Sequence, residues 1–350
     1  MTGYRNKPVP DTEMHRSLTA QAASATTQPG RRHFVGALAG SAALAIAGIP
    51  LRVFAYPFHQ SWRVPEQSTV EIWPSRENMD LVTCVAAVED WDVPASSALV
   101  MRLADETYRL SSTLKIRHNA GDRFRIVGNI NAPQRCQLLW SGDADAIYVG
   151  AGSILYIDGV TICHDTTTQR GLASGVLADE GGVVECGRSV RVTNFYYGFQ
   201  ARRGGIIRCE YSQSSGAGDA NYFAFMSGHI SARGAVASGA ADRDKQLGSG
   251  FVAEYGGSID AIEATARGNA LAGFTALSNG SIRADRGLAE HNGRGGFYTD
   301  TGGEIVAHGA TAQANCGPAI WIPNQRGAVV GNKMQSRDNN LSAEMCKASG

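Results

Sequence analysis

A 23-residue interval runs through the second half of the chain and constrains its fold more than any other feature. Gly250-Phe251, Gly273-Phe274 and Gly296-Phe297 recur at that spacing, and Ile320 follows Phe297 by the same step. Further columns keep the register: Ile259, Ile282 and Ile305; Ala261, Ala284 and Ala307; Ala266, Ala289 and Ala312; Asn269, Asn292 and Asn315. Upstream, Val176, Phe199 and Tyr222 extend the first column, Val184, Ile207 and Ile230 the second, and Cys186, Cys209 and Ala232 the third. A fixed period of this length is the mark of a solenoid. Within each unit side chains alternate, as in Phe251-Val252-Ala253 and Ile259-Asp260-Ala261, which is the period of a strand. Three short strands with turns in 23 residues make one coil of a right-handed parallel β-helix, each strand pairing with its copy about 4.8 Å away. The all-β solenoid is predicted from about Leu110 to Met334.

In the unit beginning at Phe251, strand one is predicted over 250–254, a turn over 255–257, strand two over 258–262 and strand three over 264–268, with Asn269 opening the longest turn. Two intervals lengthen to 29 residues, Ile147 to Val176 and Tyr222 to Phe251. The extra residues fit between strand three and the next strand one. The Gly and Asn columns are expected at turns, where both tolerate positive φ, and the asparagines can also form a hydrogen-bonded ladder along the stack.

The chain divides into residues 1–55, 56–95, 96–335 and 336–350. In the first, Arg31-Arg32-His33-Phe34-Val35, the small apolar run to Ile49 and Val53-Phe54-Ala55 resemble a twin-arginine export signal with a cleavage site. The resemblance implies a periplasmic or extracellular address. Phe34 to Ile49 is shorter than the ~20 residues of a membrane span. The second stretch, with Trp62, Trp73 and Trp91, is expected to cap the first coil, because open edge strands invite pairing. The last stretch reads as the other cap or a tail. All seven cysteines follow the expected cleavage point. Their odd number and the folded state in which twin-arginine substrates travel leave thiols and disulfides both open.

Thr107-Tyr108-Arg109-Leu110, Thr113-Leu114-Lys115-Ile116 and Phe124-Arg125-Ile126-Val127-Gly128 resemble the opening coils of the pectate-lyase-like superfamily. The repeats are similar to those of phage tail appendages and bacterial secreted β-helix proteins. The resemblance covers roughly residues 85–335 and implies a glycan lying along strand one beside the long turns. Outward strand-one positions then become site candidates: Asp179, Arg202, Glu254 and Asp300 as catalytic groups, Phe223, Phe225 and Tyr298 as rings that stack on sugars. Glu254 and Asp300 fall two coils apart, about 9.6 Å by backbone, with Leu277 between them, near the ~6.5–9.5 Å carboxyl separation of inverting glycosidases. Asp179 and Arg202 fit a lyase base with its cation, or a cross-strand salt bridge. On strand two, Glu185, Arg208, Ser231, Asp260 and Arg283 form an outward column that avoids stacking like charges.

With 32 basic and 32 acidic residues, the chain lacks the basic surface a nucleic-acid binder requires. His229, His291 and His308 lie in different columns and make no metal constellation. No Cys-x-x-Cys pair is present, and no cofactor motif occurs, while calcium use stays open. Two functions follow: an exported protein that binds polysaccharide and cleaves it as a lyase or hydrolase, or a non-catalytic glycan-binding scaffold or adhesin. The slim Ala-rich coils also suit packing as a homotrimer.

Overall fold

The computed structural model describes residues 51–54, 62–74, 80–118, 120–150, 152–165, 171–241, 248–323 and 326–341. It is a parallel β-helix. Strand one of successive coils forms a nine-stranded sheet, strand two a twelve-stranded sheet and strand three a ten-stranded sheet, and all the pairings are parallel and in register. A representative coil has strands Ser249–Glu254, Ser258–Asp260 and Thr265–Arg267. Strands two and three are shorter than their predicted spans because Glu263, at φ 60°, turns the chain between them. Ala261 and Ala264 flank that turn and are buried.

The repeated columns are the core. Phe199, Tyr222, Phe251, Phe274 and Phe297 stack through the centre, with ring centroids 4.7–5.2 Å apart and planes within 11° of parallel. Such contacts contribute about 0.5–1.5 kcal/mol each beyond the area they bury. The strand-two column, Val184, Ile207, Ile230, Ile259, Ile282 and Ile305, is likewise buried. Gly273 precedes Phe274 because a Cβ there would lie 2.9 Å from the Ala289 Cβ. Gly257 is needed because a Cβ would run into the Ala224 carbonyl of the preceding coil.

The asparagines form the expected ladder. Each Nδ2 donates to Oδ1 of the next coil, from Asn221 to Asn269 (3.1 Å), Asn292 (2.9 Å), Asn315 (3.0 Å) and Asn339 (2.8 Å). Positive φ is carried by the residues before them, Gly268, His291 and Ala314. The asparagines therefore contribute side chains rather than unusual backbone. Their Oδ1 atoms also accept backbone N–H groups of the preceding coil, which satisfies buried donors that would otherwise be costly.

The lead-in segment is part of the solenoid. Leu51–Phe54, inside the stretch read as a leader, pairs with Thr69–Trp73, which pairs with Ala98–Arg102. Helix Leu81–Ala87, capped by the Asp80 carboxylate, packs on Leu114–Ile116 and closes the start of the strand-one sheet. At the other end Gln335–Arg337 still pairs with Thr311–Gln313. Cys84, Cys136, Cys163, Cys186 and Cys209 are thiols, with burial pushing Cys136 up to about 12. Cys316 is disulfide-bonded. The twin-arginine motif, Ala55, Cys346 and the charged insert 242–245 lie outside the described residues.

Candidate functional site on the outer face of strand one

Three outward columns cover the strand-one sheet. The first runs Ser174, Tyr197, Ala220, Ser249; the second Leu177, Gln200, Phe223, Val252, Thr275, Tyr298, Trp321; the third Asp179, Arg202, Phe225, Glu254. Continuing the third by one coil at a time gives Leu277 and Asp300, as the repeat predicted. These positions are not a uniformly exposed face, however. Leu177, Asp179, Gln200, Phe223, Val252 and Thr275 are buried. Neighbouring columns pack on each other outside the coil: Ser174 Oγ donates to Gln200 Oε1 at 2.7 Å, Ser249 and Thr275 hydroxyls bond at 3.0 Å, and Ala220, Phe223 and Val252 form an apolar cluster.

Aromatic side chains gather across the middle coils. Tyr196 meets Tyr197 edge-on (4.9 Å), Tyr197 stacks on Phe223 (4.7 Å), Phe223 tilts against Phe225 (5.4 Å), and Phe225 meets Tyr255 edge-on (5.3 Å). Phe223 is the buried base of this patch, Phe225 and Tyr197 are half-buried, and Tyr255 is exposed. The fold holds the tyrosine outward because Gly175, Gly198 and Asn221, then the Phe column, fill two consecutive inward places, so the residue before them turns out. Further along, Tyr298 stacks on Trp321 at 4.5 Å, with the Arg294 guanidinium 5.9 Å from the Trp321 ring centroid.

Two carboxyl groups border the patch. Burial, and then the negative charge of Asp219, push the Glu254 carboxyl above the usual carboxylate range. Asp219 lies in the turn before strand Ala220–Phe225, fixed by its backbone to Tyr196 and Ser249. Burial, and then the neighbouring negative charge of Asp219, push the Tyr197 phenol up. Glu254 is thus set to hold a proton at a pH where most carboxyls have lost theirs. Its acidic neighbour is Asp219 rather than Asp300, whose Oδ1 accepts the Thr301 N–H at 2.7 Å. Asp219, Tyr196, Tyr197, Tyr255 and Trp321 were not among the sequence candidates.

Asp179 and Arg202 are brought together, and a second arginine joins them. Arg202 Nη2 lies 3.0 Å from Asp179 Oδ2, Arg203 Nε donates to Oδ1 at 2.8 Å and Arg203 Nη2 to Oδ2. Oδ1 also accepts the Glu180 N–H at 3.0 Å. Burial acts to raise this carboxyl, but the two guanidinium groups hold it below its ordinary value. Buried, and with both oxygens already accepting from guanidinium and backbone N–H groups, the Asp179 carboxylate is a weakened base with no open lone pair for a substrate proton. The strand-two column behaves as surface: Arg208 pairs with Glu185 at 2.7 Å, and Arg283 turns to Asp285 at 2.7 Å rather than to Asp260. A shallow depression lies there, lined by His229, Ser258, Asp260, Arg283 and His308 together with Ile259, Ile282 and Val306. Among the described residues no three His, Cys, Asp or Glu side chains converge as a metal-binding group, and no helix is long and apolar enough to cross a membrane.

No family model matches the chain, and no curated protein matches it. Among solved structures it is similar to the crystal structure of the periplasmic alginate epimerase AlgG, at 10% identity over 88% of this chain and 90% of that one, with a TM-score of 0.30. That likeness is too faint to carry residues or activity across.

Proposed function

We propose that the outer face of the strand-one sheet, from Tyr197 to Trp321, binds an extended polysaccharide. The observation that carries this is the run of rings Tyr197, Phe223, Phe225 and Tyr255, continued by Tyr298 and Trp321. Rings fixed on a rigid sheet offer apolar area to sugar faces at little entropic cost, and coils about 4.8 Å apart set them along a line. The protein works outside the cytoplasm in this reading, a view supported by the twin-arginine pattern of residues 31–55. Affinity electrophoresis against a panel of polysaccharides tests the binding: retardation lost in Phe225→Ala and Tyr255→Ala, with unchanged circular dichroism, is the expected result. Retardation that both variants keep would overturn it.

A second reading, cleavage of the bound glycan, is favoured by Glu254. A carboxyl that keeps its proton beside an aromatic sugar platform suits a general acid that protonates a leaving glycosidic oxygen, with Asp219 as the nearby second carboxyl. The Asp179 and Arg202 pair does not suit the complementary lyase role, since each partner already satisfies the other. New reducing ends produced by the wild type and lost in Glu254→Gln, with binding retained, would support cleavage. Binding without any product leaves a scaffold or adhesin.

A further inference from the structure

The junction behind helix Leu81–Ala87 is built around an imidazole that takes no part in the glycan site. His118 follows strand Leu114–Ile116, the first of the strand-one sheet, and is 2% exposed. Its ring lies flat on Phe124, with centroids 5.0 Å apart and planes 1° from parallel. Nδ1 accepts the Ala120 N–H at 3.1 Å, so that nitrogen carries no proton and the neutral ring keeps its hydrogen on Nε2. Nε2 is buried and meets no hydrogen-bond partner among the described residues. Arg123 stands beside the ring and is pinned by two carbonyls: Nε donates to Ala120 O at 2.7 Å, and Nη1 to Val93 O. Through Val93 this arginine ties the segment after the helix to the turn 120–123, and the helix itself covers the edge strand Leu114–Ile116.

A second proton has no place on this ring. It would go on Nδ1, turn a donor towards the Ala120 N–H, and bury a positive charge next to a guanidinium that cannot withdraw. We propose that His118 is an acid-operated latch of the amino-terminal cap: the neutral ring holds 88–93 against 120–123, and its protonation opens that junction and frees the helix from the edge of the strand-one sheet. Burial, and then the Arg123 charge, hold this imidazole below the ordinary histidine range, against the opposing pull of Asp90. The other charges on the elements packed here are paired: Arg117 lies 3.6 Å from Glu89, and Arg125 4.0 Å from Asp122. The helix adds Asp80, whose carboxylate caps it, and Cys84, a buried thiol. Because the unfolded chain takes up this proton first as pH falls, the stability that the latch contributes is fully present above about pH 6.5 and is lost progressively below it.

Hydrogen exchange of the full-length protein, read by mass spectrometry from about pH 7.5 down to about pH 5 and corrected for the intrinsic pH dependence of exchange, tests the latch. Amides of 81–93 and 114–124 are expected to lose about tenfold in protection across that range, while those around Phe274 and Phe297 in the core coils hold theirs. His118→Asn keeps an acceptor for the Ala120 N–H but cannot take up a proton, and protection of its cap should not respond to pH. Where that variant does not fold, NMR of the histidine-labelled wild type gives the answer. An Nε2–H tautomer at neutral pH, titrating together with the loss of protection, is the expected result. Equal pH sensitivity in wild type and His118→Asn, an Nδ1–H or doubly protonated ring at neutral pH, or cap protection unchanged on acidification would overturn the latch.

Discussion

Two stretches of one outward column carry opposite chemistry. In the coils of Asp179 and Arg202 the column is sealed: a buried carboxylate is gripped by two arginines, and the Leu177 beside it is covered. Two coils on, the same column holds Phe225 and Glu254, where rings take the place of arginines and the acid has a second acid for company. Backbone, register and strand length are alike in both. The difference lies in what each coil sets beside its acid: two guanidinium groups at Asp179, burial and a second acid at Glu254.

The largest test of this contrast is Asp179→Ala. It removes a carboxylate with several charge-assisted hydrogen bonds and leaves two half-exposed guanidinium groups side by side. The expected cost is about 2–3 kcal/mol in urea unfolding, with glycan retardation intact. Phe225→Ala should do the reverse: about tenfold weaker glycan binding, and a smaller loss of stability because the ring is only half-buried. Equal effects of the two variants on binding would erase the distinction between the stretches.

Acidity separates them in sign. Asp179 is held below its ordinary value, so it contributes stability above about pH 4 that is lost as pH falls through the carboxylate range. Glu254 is held above its ordinary value, so the folded state keeps a proton that the unfolded chain has released. Stability from Glu254 therefore declines as pH rises from about 4 upward. In unfolding midpoints measured from pH 3 to 8, wild type should gain on Asp179→Asn as pH rises and lose ground to Glu254→Gln. Parallel curves would contradict the assignment. The smallest effect belongs to Arg208→Ala, which breaks a half-exposed pair with Glu185 on the other face and should change stability by under about 1 kcal/mol.

The coil plan was open to sequence reading because Phe251, Phe274 and Phe297 recur on strand one and Ala266, Ala289 and Ala312 on strand three, unit after unit. Nearer the amino terminus the same columns are filled differently, by Ile147 and Val176 on strand one and by Ile162 and Val192 on strand three. Close packing fixes the volume of a coil rather than the residue in each column, so the period blurs there while the fold continues. The site was half legible. Phe223, Phe225 and Glu254 sit in the alternating columns and could be found by counting. Tyr197 could not, because two consecutive inward residues break the alternation behind it. Asp219 stands in a turn outside every column, and only the folded chain brings it to Glu254. Nor could the columns tell that Asp179 would be buried, since Arg203 reaches it from the turn beyond the strand.

The most direct test of a glycan-binding strand-one face is the crystal structure of the protein with an oligosaccharide bound. The account predicts sugar rings lying over Tyr197, Phe225 and Tyr255, with Glu254 and Asp219 within hydrogen-bonding reach of the ligand. An oligosaccharide seated instead in the strand-two depression beside His229, Ser258 and Arg283, with the aromatic patch empty, would contradict it.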